Sequence, residues 1–440
     1  MQVIRGFSAA RTHLSRRVTL DPGRISPRIL QRLKEIFGRE ISVEDAVAQI
    51  LEDVRTQGDA AVRDYTRRID GFDLDSLEVD RRQIQEAYRQ VDPALVAALK
   101  VAAERIRRFH QEQKDYLFHG VIGQEWGQLV RPLERSGLYT PASSAVYPST
   151  VLMTAIPAKV AGVKEIIHAT PPRENGRVPP VTLVAADIAG VDRIFRIGGA
   201  QAIAALAYGT ESVPAVDKIC GPGNIFVATA KRRVFGVVDI DGIMGPSEVL
   251  IIADDSARAD YCAADLLAQA EHDPQAQAVL VTTSSELAGC VQAELDRQIT
   301  GLPRRAIAAE SLESHGLIAV VANLEEAVNL SNLYAPEHLE LIIRDADSYI
   351  SKIDHAGCIF VGENAPVPVG DYVAGPNHSL PTGGTARFSS PLNIADFVKF
   401  MDVVKMDREG LRQLGPSAVT IARAEGLEAH ARALEIRFQP

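Results

Sequence analysis

Two series of short apolar segments, separated by stretches with helical spacing, constrain the fold of this chain most strongly. The first series comprises residues 165–168, 181–184, 193–197 and 218–220, and the second comprises residues 249–253, 278–281, 317–321, 339–343 and 358–361. Short strands that are apolar throughout, with helices between them, are typical of parallel sheets covered on both faces. Two such series predict an α/β fold with two parallel-sheet units.

Helical patterns flank the two series. Ser42 followed by Asp45 resembles a capping box ahead of an amphipathic stretch, and Asp92-Pro93 is a favourable helix start. Further along, residues 357–391 are rich in turn-forming residues and predict a long loop. Residues 394–436 predict a closing helical segment, so we expect the sheets to lie between helical ends of the chain.

Composition excludes several classes of protein. At 440 residues the chain is long enough for two or more compact units. Its net charge of -10 argues against a nucleic-acid-binding surface, and its longest apolar run, interrupted by Pro157 and Lys159, is too short to cross a membrane. None of the four cysteines forms a C-x-x-C pair, so we expect no disulfide framework and a reducing, cytoplasmic location.

Residues 1–20 leave two interpretations open. This stretch contains four arginines and no acidic residue, a composition that resembles a transit peptide. Val3, Ile4 and Phe7 equally fit the first strand or an arm of the mature protein. The pattern alone does not choose between a targeting segment and a strand.

Two glycine-rich turns follow predicted strands, although the chain has no G-x-G-x-x-G fingerprint, P-loop or H-E-x-x-H helix. Gly198-Gly199-Ala200-Gln201 follows the segment that ends at Ile197, and Gly221-Pro222-Gly223-Asn224 follows the one that ends at Cys220. Glycine at the carboxyl end of a parallel strand lets a ligand approach the backbone closely. Tight turns without a ligand remain the alternative.

Two pairs of polar residues have spacings that suit chemistry. Gln269 and His272 lie three apart near a predicted helix end and share one face, and amide oxygen with imidazole nitrogen suits a divalent transition metal. A structural histidine that interacts with the helix dipole is the alternative. Glu337 and His338 lie just before a predicted strand, where a carboxylate beside an imidazole supplies general-base capacity near neutral pH.

Other polar residues occur later in the chain. Asp371 and His378 lie in the predicted long loop, where functional groups concentrate. Glu425 and His430 lie in the closing helical segment, five residues apart and so not squarely on one helix face. Each of the four also fits a solvated or capping group, and chain spacing does not show that they meet.

Seven motifs together resemble the histidinol dehydrogenase family. They occupy residues 198–206, 220–224, 245–250, 269–274, 334–341, 370–387 and 424–430 and extend over essentially the whole chain. The resemblance implies the last two steps of histidine biosynthesis, in which L-histidinol is oxidised through L-histidinaldehyde to L-histidine with two NAD and one water. It also implies two Rossmann-like, incomplete parallel-sheet domains with helical N-terminal and C-terminal segments.

The same resemblance implies roles for individual positions. One zinc ion per subunit would be held by Gln269, His272, Asp371 and His430. The catalytic acid–base pair would be Glu337 and His338. NAD would contact Tyr139, Gln201 and Asn224. Substrate would contact Ser247, His378 and Glu425 as well as the four zinc ligands and His338. The family's homodimer implies shared active sites, with His430 completing the metal site of the other subunit.

The domain division implied by the family has four parts. Residues 1–33 form an N-terminal arm, and residues 34–138 with 247–392 form the first α/β domain, which carries the catalytic and metal residues. Residues 139–246 form an inserted NAD-binding domain, and residues 393–440 form a C-terminal helical segment that crosses to the partner. No nucleic-acid or membrane partner is expected.

The implied mechanism uses the metal mainly as a template that orients the substrate. His338 would accept the hydroxyl proton as hydride leaves, and Glu337 would later activate water for attack on the aldehyde. The chain departs from the family at two places. Pro141-Ala142-Ser143 stands where Pro-Gly-Gly is usual after Tyr139, which limits positive φ angles there, and Leu333 replaces a frequent acidic residue.

Two other functions are alternatives to the oxidation of histidinol. Sulfopropanediol dehydrogenases look similar and keep the metal site and the Glu-His pair, but Glu425 and His378 favour histidinol. A metal-binding structural or regulatory protein without turnover is the second alternative. Glu337 and His338 argue against it, since a protein that only binds a metal has no use for a positioned base.

Overall fold

The computed structural model describes residues 1–15, 27–123, 125–142 and 146–438. It contains two compact units, the first formed by Met1–Lys114 with Leu133–Phe397 and the second by Asp115–Pro132 with Val398–Pro440. Ser143 of the unusual turn after Tyr139 lies outside the described residues, as does part of the arginine-rich N-terminal stretch. No helix among the described residues has both the length and the hydropathy needed for a membrane span.

Thirteen strands and seventeen α-helices occur in the described part of the chain. The strands are β1 (Gln2–Arg5), β2 (Trp126–Pro132), β3 (Arg135–Tyr139), β4 (Glu165–Thr170), β5 (Arg193–Arg196), β6 (Lys218–Cys220), β7 (Asp239–Ile240), β8 (Glu248–Ala253), β9 (Gln277–Thr282), β10 (Leu317–Val320), β11 (His338–Ile342), β12 (Cys358–Val361) and β13 (Val398–Val404). The helices are α1 (Phe7–Leu14), α2 (Pro27–Phe37), α3 (Val43–Gln57), α4 (Asp59–Tyr65), α5 (Arg81–Gln90), α6 (Pro93–Leu117), α7 (Pro148–Ala161), α8 (Pro180–Ala189), α9 (Gly199–Tyr208), α10 (Ile225–Val234), α11 (Ala259–Ala270), α12 (Ser285–Gln298), α13 (Arg305–Ser314), α14 (Leu324–Tyr334), α15 (Val367–Tyr372), α16 (Arg408–Ala424) and α17 (Glu428–Glu435).

The first sheet has six parallel strands in the order β1-β10-β9-β8-β11-β12. Alternate residues of β8 face opposite cores: Val249 and Ile251 pack with α11, α12 and α13, whereas Leu250 and Ile252 pack with α1 and α14. Both faces are therefore buried, which is why these strands are apolar throughout. The strand alternative for the N-terminus is the one observed, because β1 pairs with β10 at the sheet edge.

The second sheet has five parallel strands in the order β5-β4-β3-β6-β7. Helices α9 and α10 share one core with the sheet, and α3 lies in the same core through Val47, Ile50 and Val54. The predicted division assigned residues 34–138 to the domain of the first sheet. Helix α3, which belongs to those residues, packs instead against the second sheet. The domain boundaries as a whole stay a prediction.

Local signals behave as expected at two helix starts. Ser42 Oγ accepts a hydrogen bond from Asp45 N at 3.0 Å, so the predicted cap of α3 is confirmed. Helix α6 begins at Pro93, as the Asp92-Pro93 pair predicted.

Three sequence-based assignments were wrong. The predicted long loop over residues 357–391 contains helix α15 as well as strand β12. Residues 181–184 belong to helix α8, not to a strand, because a helix that is buried on nearly all sides shows no polar face. The closing segment is not helical throughout, because strand β13 precedes α16 and pairs with β2. That pairing joins segments far apart in sequence, so no local pattern reports it.

The second unit contains the antiparallel pair β2 and β13 and the helices α16 and α17. The strands pair from Trp126 with Val404 to Pro132 with Val398. Arg423 near the end of α16 forms ion pairs with Glu428 and Glu435 of α17. This surface ion-pair cluster holds the two helices together, although each exposed pair contributes only about 0–1 kcal/mol.

Candidate active site

The Glu337-His338 pair stands at the start of β11, as predicted. Helix α14 ends at Ala335, whose φ of 55° lies in the left-handed region. That conformation costs a non-glycine residue about 1–2 kcal/mol and clusters at functional sites. It turns the chain so that Glu337 and His338 enter the sheet next to β8.

His338 is held by the backbone of Glu248. Its Nδ1 lies 2.8 Å from the carbonyl oxygen of Glu248, and a carbonyl only accepts, so Nδ1 carries the ring proton. The other nitrogen, Nε2, is buried without a hydrogen-bond partner and lies 3.8 Å from Asp371 Oδ1. Burial lowers the pKa of His338 to about 4, so the ring is neutral at pH 7 and Nε2 is free to accept a proton.

Glu337 is held by the same backbone segment. Its Oε2 accepts a hydrogen bond from Glu248 N at 2.8 Å, and the side chain of Ser247 also hydrogen-bonds to it. Burial raises the pKa of Glu337 well above its ordinary value, and the nearby Glu248 and Asp371 carboxyls raise it further. A carboxyl with a raised pKa is suited to both donating and accepting a proton near neutral pH.

Asp371 and His378 meet across the turn that follows α15. His378 Nδ1 donates to the Asp371 carbonyl oxygen at 2.9 Å, and its Nε2 lies 3.2 Å from Thr150 Oγ1, so the threonine hydroxyl is the donor there. Burial lowers the pKa of His378 to about 4. Burial also raises the pKa of Asp371 to about 7, and no Lys or Arg of the described residues lies within 4.0 Å of its carboxylate.

Gln269 and His272 lie where α11 ends. His272 N donates to Gln269 O at 3.2 Å. This hydrogen bond continues the last turn of α11, so the two side chains lie on the same side of the helix end. The Gln269 amide nitrogen is buried and has no hydrogen-bond partner. His272 itself is exposed. Burial is the main cause of the lowered pKa of His338 and of His378, and His272 lies close enough to both to lower each pKa further. The end of α11 therefore lies near His338 and His378.

The first unit contains an amide, an imidazole and a carboxylate among the predicted metal ligands, from Gln269, His272 and Asp371. No cluster of three or more His, Cys, Asp or Glu that could hold a metal ion is present in the described part of the chain. Asp371 is a largely buried carboxyl without a cationic partner, so a cation bound there would stabilise its ionised form. The donors present therefore fit a divalent zinc ion.

The predicted NAD-contacting residues lie around the second sheet. Tyr139 ends β3, and its hydroxyl accepts from Gly199 N at 3.1 Å. Gln201 lies in the first turn of α9, with a buried Oε1 that has no partner and an amide nitrogen 3.5 Å from Asp70 Oδ2. Asn224 caps α10 by accepting from two backbone N–H groups. Contact of these residues with NAD stays a prediction.

The two glycine-rich turns lie at the carboxyl ends of β5 and β6, as predicted. Gly221 has a φ of 117°, and a Cβ atom there would lie 2.0 Å from the carbonyl oxygen of Tyr139. Only glycine allows the turn after β6 to pass so close to the end of β3.

Glu425 and His430 belong to the second unit. Glu425 follows the end of α16, His430 lies in α17, and both are exposed. Their roles in substrate and metal binding stay predictions.

Sequence reasoning missed Glu248 as part of the site. Its N–H holds Glu337 and its carbonyl oxygen holds His338. A backbone role leaves no side-chain pattern, and the only available signal was its position beside Ser247.

Comparison with known proteins identifies the family of the chain. A family model for histidinol dehydrogenase matches residues 37–438. A histidinol dehydrogenase from Dehalococcoides mccartyi strain CBDB1 is 54% identical over 439 residues, with 100% of both chains covered, and one from Deinococcus radiodurans is 50% identical over 443 residues, also with 100% of both covered. The crystal structure of histidinol dehydrogenase from Elizabethkingia anophelis matches with a TM-score of 0.90 at 36% identity, covering 99% of this chain and 98% of that one. The chain belongs to the histidinol dehydrogenase family.

Proposed function

We propose that this chain oxidises L-histidinol to L-histidine in two successive NAD-dependent steps at a zinc-containing site formed around His338. The arrangement of His338 carries the proposal: a buried, neutral imidazole whose Nδ1 is committed to Glu248 O and whose Nε2 has no partner. Full-length agreement with histidinol dehydrogenases at 50–54% identity favours histidinol over a sulfonated diol as substrate.

His338 is the base of the alcohol step. Its Nε2 takes the hydroxyl proton while the carbinol carbon loses a hydride, which gives the aldehyde. The bond from Nδ1 to Glu248 O at 2.8 Å fixes the tautomer and also stabilises the imidazolium that forms. The carboxylate of Asp371, 3.8 Å from Nε2, lies on the side where that positive charge appears.

Glu337 is the base of the aldehyde step. Once its carboxyl is ionised, it accepts a proton from water, and the resulting hydroxide adds to the aldehyde carbon. The hydrate then loses a second hydride and becomes the acid. Ser247 and the Glu248 N–H hold the carboxyl in place, and both stabilise its ionised form against the cost of burial.

Gln269, His272 and Asp371 would hold the zinc ion, with His430 supplied by a second copy of the chain. When bound, zinc supplies a fixed positive charge that orients the substrate and compensates the Asp371 carboxylate. His378 is held by the Asp371 carbonyl and Thr150, and would contact the substrate together with Ser247 and Glu425.

The second unit supports a homodimer with shared active sites. Among its described residues, Trp126, Val404, Ile421 and Ile436 are each 60% or more exposed. Large exposed apolar side chains in so small a unit favour an interaction surface there. A second copy of the chain is the partner we propose, since it would cover these side chains and bring His430 to the other metal site.

NAD would supply the hydride acceptor for both oxidations, bound at the glycine-rich turns near Tyr139, Gln201 and Asn224. The unpartnered Gln201 Oε1 and the two glycine-rich turns at the carboxyl ends of β5 and β6 support that location. We also propose a reducing, cytoplasmic location, which suits a chain whose four cysteines are all free.

The decisive experiment measures zinc content and NADH yield in one purified sample. Wild-type protein with limiting L-histidinol should form about two NADH per histidinol and contain about one zinc per chain. A yield of one NADH, or turnover of a sulfonated diol but not of histidinol, contradicts the proposal. Zinc-free protein with full activity contradicts the metal assignment alone.

A further inference from the structure

Two carboxyl groups, those of Glu340 and Asp265, lie on the elements that carry His338 and Gln269 of the candidate active site. Glu340 is on β11 and only 1% exposed, and Asp265 is on α11. The two side chains approach within hydrogen-bonding distance of each other. Neither group takes part in the proposed reaction.

The geometry of this pair requires a proton between the two carboxyls. Glu340 Oε1 accepts from Val367 N at 2.9 Å. Glu340 Oε2 is buried, has no N–H or O–H donor, and faces Asp265. Two ionised carboxylates in such contact repel each other, so one of them must be protonated and donate. Burial raises the pKa of both carboxyls, that of Asp265 to about 6. Both carboxyls also raise the pKa of the nearby Cys262 thiol.

Asp265, Glu340 and Val367 each lie on the same helix or strand as a residue of the candidate site, at a spacing that repeats the side-chain direction. Asp265 precedes Gln269 by four residues on α11, so both lie on one helix face. Glu340 follows His338 by two residues on β11, so both point to one face of the sheet. Val367 is the first residue of α15 and precedes Asp371 by four. Three elements that each carry a site residue therefore meet at one carboxyl pair.

We propose that Asp265 and Glu340 form a proton-sharing carboxyl pair that positions Gln269 on α11 and Asp371 on α15 relative to His338 on β11. The inference rests on the proposed function for the roles of those three residues. The pair acts through the elements it joins and touches neither substrate nor metal. Partners of this kind, one layer behind metal ligands, change metal affinity or activity about 10- to 100-fold when removed.

The test compares four variants of the full-length protein. Glu340→Gln keeps an acceptor for Val367 N and adds an N–H donor toward Asp265, so it reproduces the protonated pair. Glu340→Leu removes the bonds to Val367 N and to Asp265. Asp265→Ala removes only the bond between the two carboxyls, and it does so at the less buried residue. Asp254→Ala is the matched control, because Asp254 is a carboxylate of the same sheet that also accepts from a backbone N–H, that of Arg344, but at the far end of the strands.

Two quantities are measured: zinc affinity by competition with a chelator, and hydrogen exchange of the α15 amides in metal-free protein. Glu340→Leu and Asp265→Ala should weaken zinc binding about 10- to 100-fold and speed α15 exchange, while Glu340→Gln stays within about threefold of wild type. Asp254→Ala should lower the melting temperature without changing either quantity.

The outcomes separate this inference from the proposed function. Wild-type protein that binds no zinc contradicts the proposed metal site, and exchange of α15 then decides the inference by itself. Wild-type zinc affinity and wild-type α15 exchange in Asp265→Ala overturn the inference even if Glu340→Leu fails to fold. Equal losses in Glu340→Gln and Glu340→Leu also overturn it, because the protonated pair would then not be what matters.

Discussion

The ring Nδ1–H of His338 donates to the backbone carbonyl oxygen of Glu248 at 2.8 Å. The backbone N–H of Glu248 donates to the Glu337 carboxyl, also at 2.8 Å. One peptide segment therefore orients both members of the catalytic pair. Because backbone atoms do this work, the orientation survives any substitution of the Glu248 side chain that leaves the path of β8 unchanged. The two catalytic groups can consequently be altered one at a time.

Replacing His338 by Asn should remove the base and keep the fold. The amide nitrogen of asparagine can take over the bond to Glu248 O, but nothing replaces Nε2. We expect kcat for histidinol oxidation to fall about 10²- to 10⁴-fold, the usual contribution of a general base, with zinc content unchanged. Steady-state kinetics and metal analysis on the same preparation check this. Retention of more than a tenth of wild-type kcat would show that another group takes the proton.

Replacing Glu337 by Gln should separate the two oxidations. The amide keeps the size of the carboxyl and still accepts from Glu248 N, but it cannot take a proton from water. Alcohol oxidation should continue while aldehyde oxidation slows, so the NADH yield per histidinol drops from about two toward one. Stopped-flow measurement of NADH, with histidinol and then with the aldehyde as substrate, tests the split. An equal loss on both substrates contradicts the assigned role.

Replacing Gly221 by Ala should damage the turn that follows β6. A Cβ atom would lie 2.0 Å from the carbonyl oxygen of Tyr139, so the turn or β3 must move. We expect a loss of about 2–4 kcal/mol in the free energy of unfolding and a higher KM for NAD. Gly236→Ala is the matched control, because Gly236 also has a positive φ, 102°, but no atom within 4 Å of the added carbon. That variant should lose only about 1 kcal/mol and keep its KM.

The parallel sheets were predictable because their strands are buried on both faces, and burial on both faces leaves a continuous apolar segment. The same physics explains the error at residues 181–184: helix α8 is also buried on nearly all sides, so its apolar run has the appearance of a strand. Strand β13 was missed for a different reason. It pairs with residues near Trp126, and a local pattern contains no information about so distant a partner.

The site was predictable in its chemistry and not in its assembly. Spacing put Gln269 with His272 and Glu337 with His338, but only the fold brings Asp371 within 3.8 Å of His338. The usual rule that ligands bind at the carboxyl ends of parallel strands describes the turns after β5 and β6. His338 lies at the opposite, amino end of β11, so that rule alone would have searched the wrong side of the first sheet.

In metal-free protein, His168 should contribute a loss of stability as the pH falls below 6.5. This imidazole is fully buried in the second sheet beside Thr140, and burial lowers its pKa from 6.5 to about 4. The unfolded chain then binds more protons than the folded one between those values. The unfolding free energy should therefore drop through this window, by on the order of 3 kcal/mol for this group. Denaturant unfolding at pH 4 to 7 measures the slope.

His168→Gln should remove this contribution, so the unfolding free energy of the variant should fall less with decreasing pH than that of wild type. The same change at the exposed His119 should leave the slope as in wild type. His338 and His378, whose pKa values burial also lowers to about 4, add to the slope with the same sign. Buried carboxyls such as Asp371, whose pKa burial raises to about 7, add to it with the opposite sign. An unchanged slope in His168→Gln would mean that the ring is not the neutral, buried group described.

Mixing two inactive variants should restore activity if each metal site takes His430 from the other chain. His430→Ala and Asp371→Ala should each lose zinc and turnover when pure. In a mixed dimer, one site contains both substitutions and the other contains neither. Random reassembly at equal amounts makes half of the dimers mixed, so about a quarter of wild-type activity and zinc should return.

The recovery distinguishes a shared site from a site within one chain, because in the latter every site keeps one of the two substitutions and no mixture regains activity. The control mixes His430→Ala with Glu425→Ala, both in the second unit. If the second unit is contributed as a whole to the partner's site, each site of that mixed dimer carries one substitution, and activity should stay lost. Recovery in the control but not in the main pair would place Glu425 and His430 in different sites and contradict the proposed dimer.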